Sequence, residues 1–307
     1  MAFGVVLAPL GLFVRARRWR YLFAPDAVPP GLVPAIMIGY MANNVLPLRA
    51  GELVRVYVVA RRWGHGFWTV LATLVVERVL DSLALVAILA GLVLVVPVPR
   101  MFQWAAAVLL AIDVVGVSVL VFLALAPAYG RRLVSRLGSL VAGLVSRLAP
   151  RVSSLGSGGP RFEERLLGIY DTFVRGLDGI RTTSHLPGLV IWSVVAWIIP
   201  AAAAWAMLRA IDLTLPFTAG WAVLAFVGLG ISVPSAPGYI GVFHLAAKEA
   251  VALFAVPTSA AVGYAILFHA SQYVPVTLLG WVYLLREHVT LSAAAHYRES
   301  APASATD

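Results

Sequence analysis

The chain has 307 residues, of which 61% are apolar and only 12% are charged, and its mean hydropathy is +0.91. A soluble domain carries about 25% charged residues, so water is not the solvent for most of this chain. The net charge is +9, but the arginines cluster at the ends of apolar runs. That is the pattern of the positive-inside rule rather than of nucleic-acid binding. Cysteine is absent, which excludes disulfides and cysteine chemistry.

The long apolar runs predict an all-α integral membrane protein. About 20 residues of helix span a bilayer, and a helix pairs its own backbone groups in lipid. The N-terminal run ends in a basic cluster at 15–20, which predicts a short or truncated first helix whose C-terminal end is cytoplasmic. Complete spans are predicted at 67–96, 101–126, 189–208 and 258–285.

Two further apolar segments are interrupted by proline and glycine. Segment 31–62 lies between two basic flanks, so we expect a re-entrant hairpin with its break at 47–51. Segment 217–256 is broken at 234–238, and we expect it to enter from the opposite face. Both breaks have the pattern Pro-x-x-x-Gly, and interrupted apolar segments at corresponding positions of two halves are typical of inverted-repeat transporters. The predicted fold is therefore a polytopic helical bundle with two re-entrant hairpins in a pseudo-inverted repeat.

A single transmembrane domain is predicted over residues 1–299. Its first half covers 1–126 and its second half 188–299. The connection, 127–187, is rich in arginine and carries apolar residues at helical spacing, as a helix on the cytoplasmic membrane surface would. The polar tail, 300–307, is predicted to be disordered, and we expect it to lie in the cytoplasm.

Three charged residues, Glu77, Arg78 and Asp81, fall within one predicted span. Charged side chains at membrane depth need partners or a wet cavity, and Glu77 lies about 15 Å along its helix. The negative net charge of the trio favours Arg49 or Arg55 as a counter-charge. Two interpretations stay open: a salt-bridge network that locks the hairpin to the helix, or a direct role with substrate or protons.

The hairpin breaks supply the other candidates, because proline and glycine leave backbone groups free there. The arginines either bind phosphate or reach cytoplasmic headgroups. The histidines of the second half are either functional or structural, and Asp113 either pairs with Arg78 or lines a cavity. The candidate binding or gating residues of the first half are Asn43, Asn44, Arg49, Glu52, Arg55, Glu77, Arg78 and Asp81. Those of the second half are Ser235, Gly238, Tyr239, His244, His269 and Tyr273. The predicted hairpin-break residues are Pro47, Gly51, Pro234, Pro237 and Gly241.

Enzyme motifs are missing from the sequence. It contains no HExxH zinc motif, no GxSxG or GxGD motif and no P-loop. A transporter is therefore favoured over an enzyme, and no catalytic residue, metal or cofactor is predicted.

Five stretches carry a family resemblance: RARRWR (15–20), NNVLPLRAGELVR (43–55), ERVLD (77–81), PSAPGYIGVFH (234–244) and HASQYVP (269–275). In these, and in their order, the chain resembles the lysylphosphatidylglycerol synthase transmembrane-region family, the flippase-like domain proteins. The resemblance implies a bacterial or archaeal inner-membrane protein that moves lipids between leaflets, with two re-entrant elements. The chain departs from the family at His244, where many members have Glu, and at His269, where many members have Arg. Only a short tail follows Arg286, so we expect no aminoacyl-transferase activity.

The leading hypothesis is translocation of an anionic or phosphate-bearing lipid by alternating access at a polar midplane cavity. The expected partner is an anionic phospholipid, an aminoacyl lipid or a polyprenyl-phosphate lipid, with no nucleic acid; a homo-oligomer is left open. One alternative is a membrane transferase acting on polyprenyl-phosphate-linked sugars. Another is a non-catalytic partner of an envelope synthase.

Overall fold

A computed structural model describes residues 2–148, 158–232 and 235–288. Pro234 and the predicted tail, 300–307, lie outside the described residues. Within those residues every regular element is helical. The helices are α1 (Ala2–Arg20), α2 (Leu32–Val45), α3 (Gly51–Trp63), α4 (Phe67–Val93), α5 (Arg100–Leu125), α6 (Pro127–Leu148), α7 (Gly158–Arg175), α8 (Asp178–Arg181), α9 (Leu186–Ala210), α10 (Phe217–Ser232), α11 (Val242–Ala252) and α12 (Thr258–Arg286), with 3₁₀ turns at Thr183–His185 and Pro237–Tyr239.

Three of the described helices are long and apolar enough to cross a membrane. They are α5, α9 with the 3₁₀ turn before it, and α12. Helix α4 has 27 residues and is therefore about 40 Å long, but it carries the charged trio. The all-α membrane class predicted from the sequence is confirmed.

The two broken segments each form a pair of short helices. Helices α2 and α3 have 14 and 13 residues, and α10 and α11 have 16 and 11. At about 1.5 Å per residue each is shorter than a hydrocarbon core of about 30 Å. The helices of each pair pack against one another. Entry of the two pairs from opposite membrane faces stays a prediction.

The first break has an unusual backbone. After Pro47, both Leu48 and Arg49 have a left-handed φ, at 57° and 56°. Residues other than glycine rarely adopt this region, and such strain persists only where the surroundings fix it. Helix α3 then begins at Gly51.

The second break repeats this pattern. After Pro237, Gly238 and Tyr239 have φ values of 64° and 59°, and Gly241 precedes the first residue of α11. The first break therefore corresponds to residues 237–241, three residues later than the 234–238 match predicted from the sequence. This shift corrects the predicted alignment of the two halves.

Gly51 has a different role from the one predicted. We expected Gly51 to supply unusual backbone dihedrals at the break, but it is the first helical residue of α3. A Cβ added there would lie 1.9 Å from the carbonyl oxygen of Gly39 in α2. Glycine is needed because the two backbones touch.

The apolar core is in two parts. The first contains α1, α2, α3 and the N-terminal part of α4, with Trp19 and Ile36 fully buried. The second contains α10, α11 and the C-terminal part of α4, with Leu89 and Phe226 buried. Helices α9 and α12 contribute to both. The charged trio of α4 thus lies where one core gives way to the other.

The connection between the halves contains two amphipathic helices. Helices α6 and α7 pack on one another, and α7 also packs on α4. An exposed ion pair, Arg131 Nε to Asp171 Oδ1 at 3.2 Å, joins them. Leu133, Leu137 and Leu140 of α6 are exposed. Contact of this apolar face with the membrane surface stays a prediction.

Candidate functional site

Eight charged side chains of the first half form one connected group, which we call the arginine–carboxylate cluster. Helix α1, the first break, α3 and α4 all contribute to it. Its members are Arg15, Arg18, Arg49, Glu52, Arg55, Glu77, Arg78 and Asp81.

Glu77 is at the centre of the cluster and is fully buried. Its carboxylate lies 3.3 Å from Arg18, 3.1 Å from Arg55 and 2.6 Å from Arg78. Arg55 comes from α3, so the predicted counter-charge from the first hairpin is present. Several ion pairs are what a buried carboxylate requires.

Asp81 is held by arginines from two helices. Its oxygens lie 3.2 Å from Arg15, 2.6 Å from Arg18 and 3.0 Å from Arg78. Sequence reasoning missed Arg15 and Arg18, because an arginine-rich helix end is also the positive-inside signal. Arg15 and Arg18 are three residues apart, which places both on one helix face. This spacing is the signal in the sequence that could have identified them. Arg17, in contrast, is exposed.

Glu52 joins the first break to α4. It lies 3.2 Å from Arg49, 2.9 Å from Arg55 and 3.2 Å from Arg78. Arg49 therefore pairs with Glu52 rather than with the trio. Arg78 touches all three carboxylates of the cluster. This geometry favours the interpretation that the network locks the first hairpin to α4.

A cavity of about 370 Å³ lies beside the cluster. Its lining combines charged residues, among them Arg15, Arg49 and Arg78, with apolar residues of α4, α5 and α10. Both halves of the chain contribute. The lining comprises Arg15, Tyr40, Asn43, Arg49, Glu52, Arg78, Val79, Asp81, Ser82, Leu85, Leu109, Ile112, Asp113, Gly116, Trp197, Gly228, Ile231, Ser232 and Tyr239.

The cavity gathers only some of the predicted candidates. Those that line it are Asn43, Arg49, Glu52, Arg78, Asp81 and Tyr239. The remainder, which lie outside the lining, are Asn44, Arg55, Glu77, Ser235, Gly238, His244, His269 and Tyr273. Asp113 lines the cavity and accepts a hydrogen bond from Ser82, which decides between the two roles left open for it. Trp197, which also lines the cavity, carried no signal in the sequence beyond its position in an apolar span.

The end of α2 and the first break contact the second half directly. Asn44 Nδ2 donates to Thr277 Oγ1 at 2.8 Å, and the Tyr273 hydroxyl donates to the backbone oxygen of Asn44 at 3.4 Å. Arg49 Nη1 donates to the backbone oxygen of Ile231, near the end of α10, at 3.2 Å. These bonds hold the end of α2 against α12 and the first break against α10.

The two histidines form a chain of hydrogen bonds with the second break. His269 Nε2 is 2.9 Å from the Gly238 carbonyl oxygen, so it carries a hydrogen and donates. In a neutral ring His269 Nδ1 then accepts, and its partner at 3.1 Å, His244 Nε2, donates. His244 Nδ1 in turn accepts from the Gly241 backbone N–H at 3.3 Å. Only two neutral rings satisfy every contact.

Fold and site together define an all-helical integral membrane protein with a partly charged cavity between two broken-helix units. The chain belongs to the family described as the lysylphosphatidylglycerol synthase TM region, which matches residues 1–280. Glycosyltransferase AglD of Haloferax volcanii is 31% identical over 278 residues, which cover 86% of this chain and 44% of the relative. The chain thus corresponds to less than half of that protein. No solved structure matches it.

Proposed function

We propose that this protein moves a phosphate-bearing membrane lipid between leaflets by alternating access at the cavity beside the arginine–carboxylate cluster. The observation that carries the proposal is the amphipathic lining of that cavity. Charged residues, including three arginines, line it together with apolar residues. A lipid presents the same pairing of a polar headgroup with apolar chains.

The arginines differ in how available they are. Arg18 and Arg55 are buried, whereas the side chains of Arg49 and Arg78 are 24% and 30% exposed and line the cavity. Arg49 and Arg78 therefore keep donors within reach of a ligand. A planar guanidinium binds phosphate through two parallel hydrogen bonds.

The position of the cavity also suits alternating access. Its lining draws on α4 and α5 of the first half and on α9, α10 and the second break of the second half. A relative movement of the two halves would change which side of the cavity is open. Transporters built from paired repeats bind their substrates at such an interface.

Reconstitution into liposomes tests the proposal. The purified chain is placed in vesicles that contain a lipid with a fluorescent headgroup or tail, and loss of outer-leaflet fluorescence on adding a membrane-impermeant quencher is followed. We expect faster exchange of a phosphate-bearing lipid than in protein-free vesicles, and slower exchange with Arg78→Gln. Exchange no faster than in protein-free vesicles for every phospholipid and polyprenyl phosphate would rule the proposal out.

A transferase acting on polyprenyl-phosphate-linked sugars is the second candidate, because the AglD relative is named a glycosyltransferase. Such an enzyme needs a carboxylate free to take a proton. Asp81 is the acid of the cluster nearest to this role, but three arginines contact it. This pairing favours translocation. Sugar transfer from a lipid-linked donor that is lost in Asp81→Asn would favour the transferase instead.

A further inference from the structure

We propose that His244 and His269 form a proton-binding site that regulates the second break and, through the break, the cavity. When both rings are neutral they hold the break in place, and a proton taken up by either ring releases it. This inference rests on the proposed function and adds to it a coupling of lipid movement to protons. Neither histidine lines the cavity, so the proton site is separate from the place where we propose that lipid binds.

The two rings tie α12 and α11 to both ends of the second break. His269 lies in α12 and is 9% exposed, whereas His244 lies in the first turn of α11 and is half-buried. The rings meet edge to face, with His269 Nδ1 at 3.1 Å from His244 Nε2. Their other nitrogens bond to the Gly238 carbonyl oxygen at 2.9 Å and to the Gly241 N–H at 3.3 Å. The chain of hydrogen bonds therefore spans the break.

This chain has no room for one more proton. Its four ring nitrogens are all in use, two as donors and two as acceptors, and a charged ring has donors at both nitrogens. On His269 the added hydrogen would point at the N–H of His244. On His244 it would point at the N–H of Gly241, and moving the hydrogen of His244 to its other nitrogen only transfers the conflict to Gly241. In every case two donors face each other, so one hydrogen bond has to open.

The surroundings of the pair supply no counter-charge for a protonated ring. Phe243 stacks on His269 with ring centres 4.5 Å apart, and the Tyr273 ring lies 5.6 Å from His269. Among the described residues no carboxylate contacts either histidine, and Glu249 of α11 pairs with Lys248 at 2.9 Å. A charged group in such a place is costly, which favours movement of a protonated ring towards water.

The elements packed around the pair carry few other ionisable groups. Helix α10 has none. None of the others has a hydrogen bond, ion pair or ring contact with either histidine among the described residues. They are Tyr40 of α2, Arg49 and Glu52 at the first break, Arg15 and Arg18 of α1, Arg209 at the end of α9, Tyr239 of the second break and Tyr264 of α12. The two rings are thus each other's only ionisable partner apart from the Tyr273 phenol.

The break that the pair holds reaches both the cavity and the first half. Tyr239 follows Gly238 directly and lines the cavity. The 3₁₀ turn Pro237–Tyr239 packs on α2, and a Cβ added at Gly238 would lie 3.3 Å from the Asn44 carbonyl oxygen. Tyr239 has a left-handed φ of 59°, which persists only while the surroundings fix it. Opening the bond to Gly238 removes such a restraint and frees Tyr239 to leave the lining.

The first test follows the break itself and requires no lipid substrate. The chain has no cysteine, so Ile240→Cys, at an exposed position next to Tyr239, carries a single spin label on the full chain in liposomes. We expect its electron paramagnetic resonance spectrum to show greater mobility at pH 5.5 than at pH 7.5. Addition of His269→Gln should remove this difference, because an amide takes up no proton in this range. A label at Leu94→Cys, at an exposed position directly after α4, is the control and should be equally mobile at both pH values.

The second test measures lipid exchange at the same two pH values. Fluorescent phosphatidylglycerol is the probe, because its phosphodiester keeps one negative charge at both. We expect exchange about tenfold faster at pH 5.5, since one proton shifts an equilibrium by up to about tenfold per pH unit. His269→Gln and His244→Gln should each lose this ratio, and His244→Gln decides alone if His269→Gln does not fold. His288→Gln, at an exposed position two residues after α12, should keep it.

The outcomes separate the inference from the proposed function. Label mobility at position 240 that is the same at both pH values, or a change that persists in both histidine variants, would overturn the proton site and leave lipid translocation standing. Exchange that does not accelerate in acid while the label becomes more mobile would overturn the coupling to the cavity. Absence of exchange at both pH values for every phospholipid and polyprenyl phosphate would contradict the proposed function, and the label measurement then decides on the proton site by itself.

Discussion

Arg49 and Tyr239 hold the same place in the two helix breaks. Each is the second of two consecutive residues with a left-handed φ that follow a proline, and each lines the cavity. In each break a glycine follows the proline by four positions: Gly51 follows Pro47, and Gly241 follows Pro237. The two halves thus use one backbone arrangement to present a cationic side chain on one side and a phenol on the other.

Arg49 is the residue of the breaks whose loss should affect transport more than stability. Arg49→Gln removes a partly exposed pair with Glu52, which keeps Arg55 and Arg78 as partners. We expect the free energy of unfolding to fall by about 1 kcal/mol or less. The rate of lipid exchange should fall clearly. Arg61→Gln, at an exposed position of α3, is the control. Unchanged exchange with Arg49→Gln would exclude Arg49 from the binding site.

Glu77 should be the most sensitive member of the cluster. Glu77→Gln leaves Arg18, Arg55 and Arg78 without their shared carboxylate in a buried place, which costs about 3–5 kcal/mol. Thermal unfolding in detergent measures the loss. Glu287→Gln breaks an exposed pair with Arg62 and should change stability by less than about 1 kcal/mol. Equal melting temperatures for the two variants would show that the network does not lock the hairpin.

The contact between Gly51 and Gly39 should tolerate no side chain. Gly51→Ala places a methyl group 1.9 Å from the Gly39 carbonyl oxygen, so α3 must move away from α2. Overpacking of this kind costs about 1–3 kcal/mol. Gly91→Ala in α4, where a Cβ meets no other atom within 4 Å, is the control and should be neutral or stabilising. A Gly51→Ala variant as stable as Gly91→Ala would contradict the close approach.

The histidine chain should make the second break sensitive to acid. A proton added to either ring turns an acceptor into a donor and breaks one link of the chain. These hydrogen bonds therefore require neutral rings, and we expect the stability of the second break to fall in acid.

Melting temperatures at pH 7.5 and 5.5 test this prediction. We expect the difference between the two pH values to shrink in His269→Gln relative to the wild type. His288→Gln, at an exposed position two residues after the end of α12, is the control and should keep the difference. If the melting temperature of His269→Gln changes between the two pH values as much as that of the wild type, the acid sensitivity belongs to other groups.

Several features of the fold could be predicted because they follow from local pattern. Hydropathy predicted the three described helices that are long and apolar enough to cross a membrane, and prolines between apolar runs predicted the two helix pairs. Three charges within one apolar helix indicated a buried network, and Arg55 could be named as a partner. In each case the signal lies within one or two neighbouring segments.

Other features depend on tertiary contacts that no local pattern reveals. Arg15 and Arg18 look like headgroup-binding residues until Asp81 is seen beside them. Trp197 looks like any aromatic residue of an apolar span, and only the tertiary structure places it in the lining of the cavity. The match between the breaks was displaced by three residues because Pro-x-x-x-Gly occurs twice in succession, and backbone dihedrals were needed to choose between them.

The distribution of ion pairs has a consequence for motion. Every ion pair of the cluster joins two residues of the first half, and the described contacts from the first break to α10 and α12 are hydrogen bonds. The described ion pair of Arg62 in α3 with Glu287, which directly follows α12, is partly solvent-exposed. Sliding one half past the other would therefore separate no buried opposite charges, although it would disturb the packing of α2 on α12 and of α1 on α9. The charges tie the first half together, whereas apolar packing and hydrogen bonds join it to the second half.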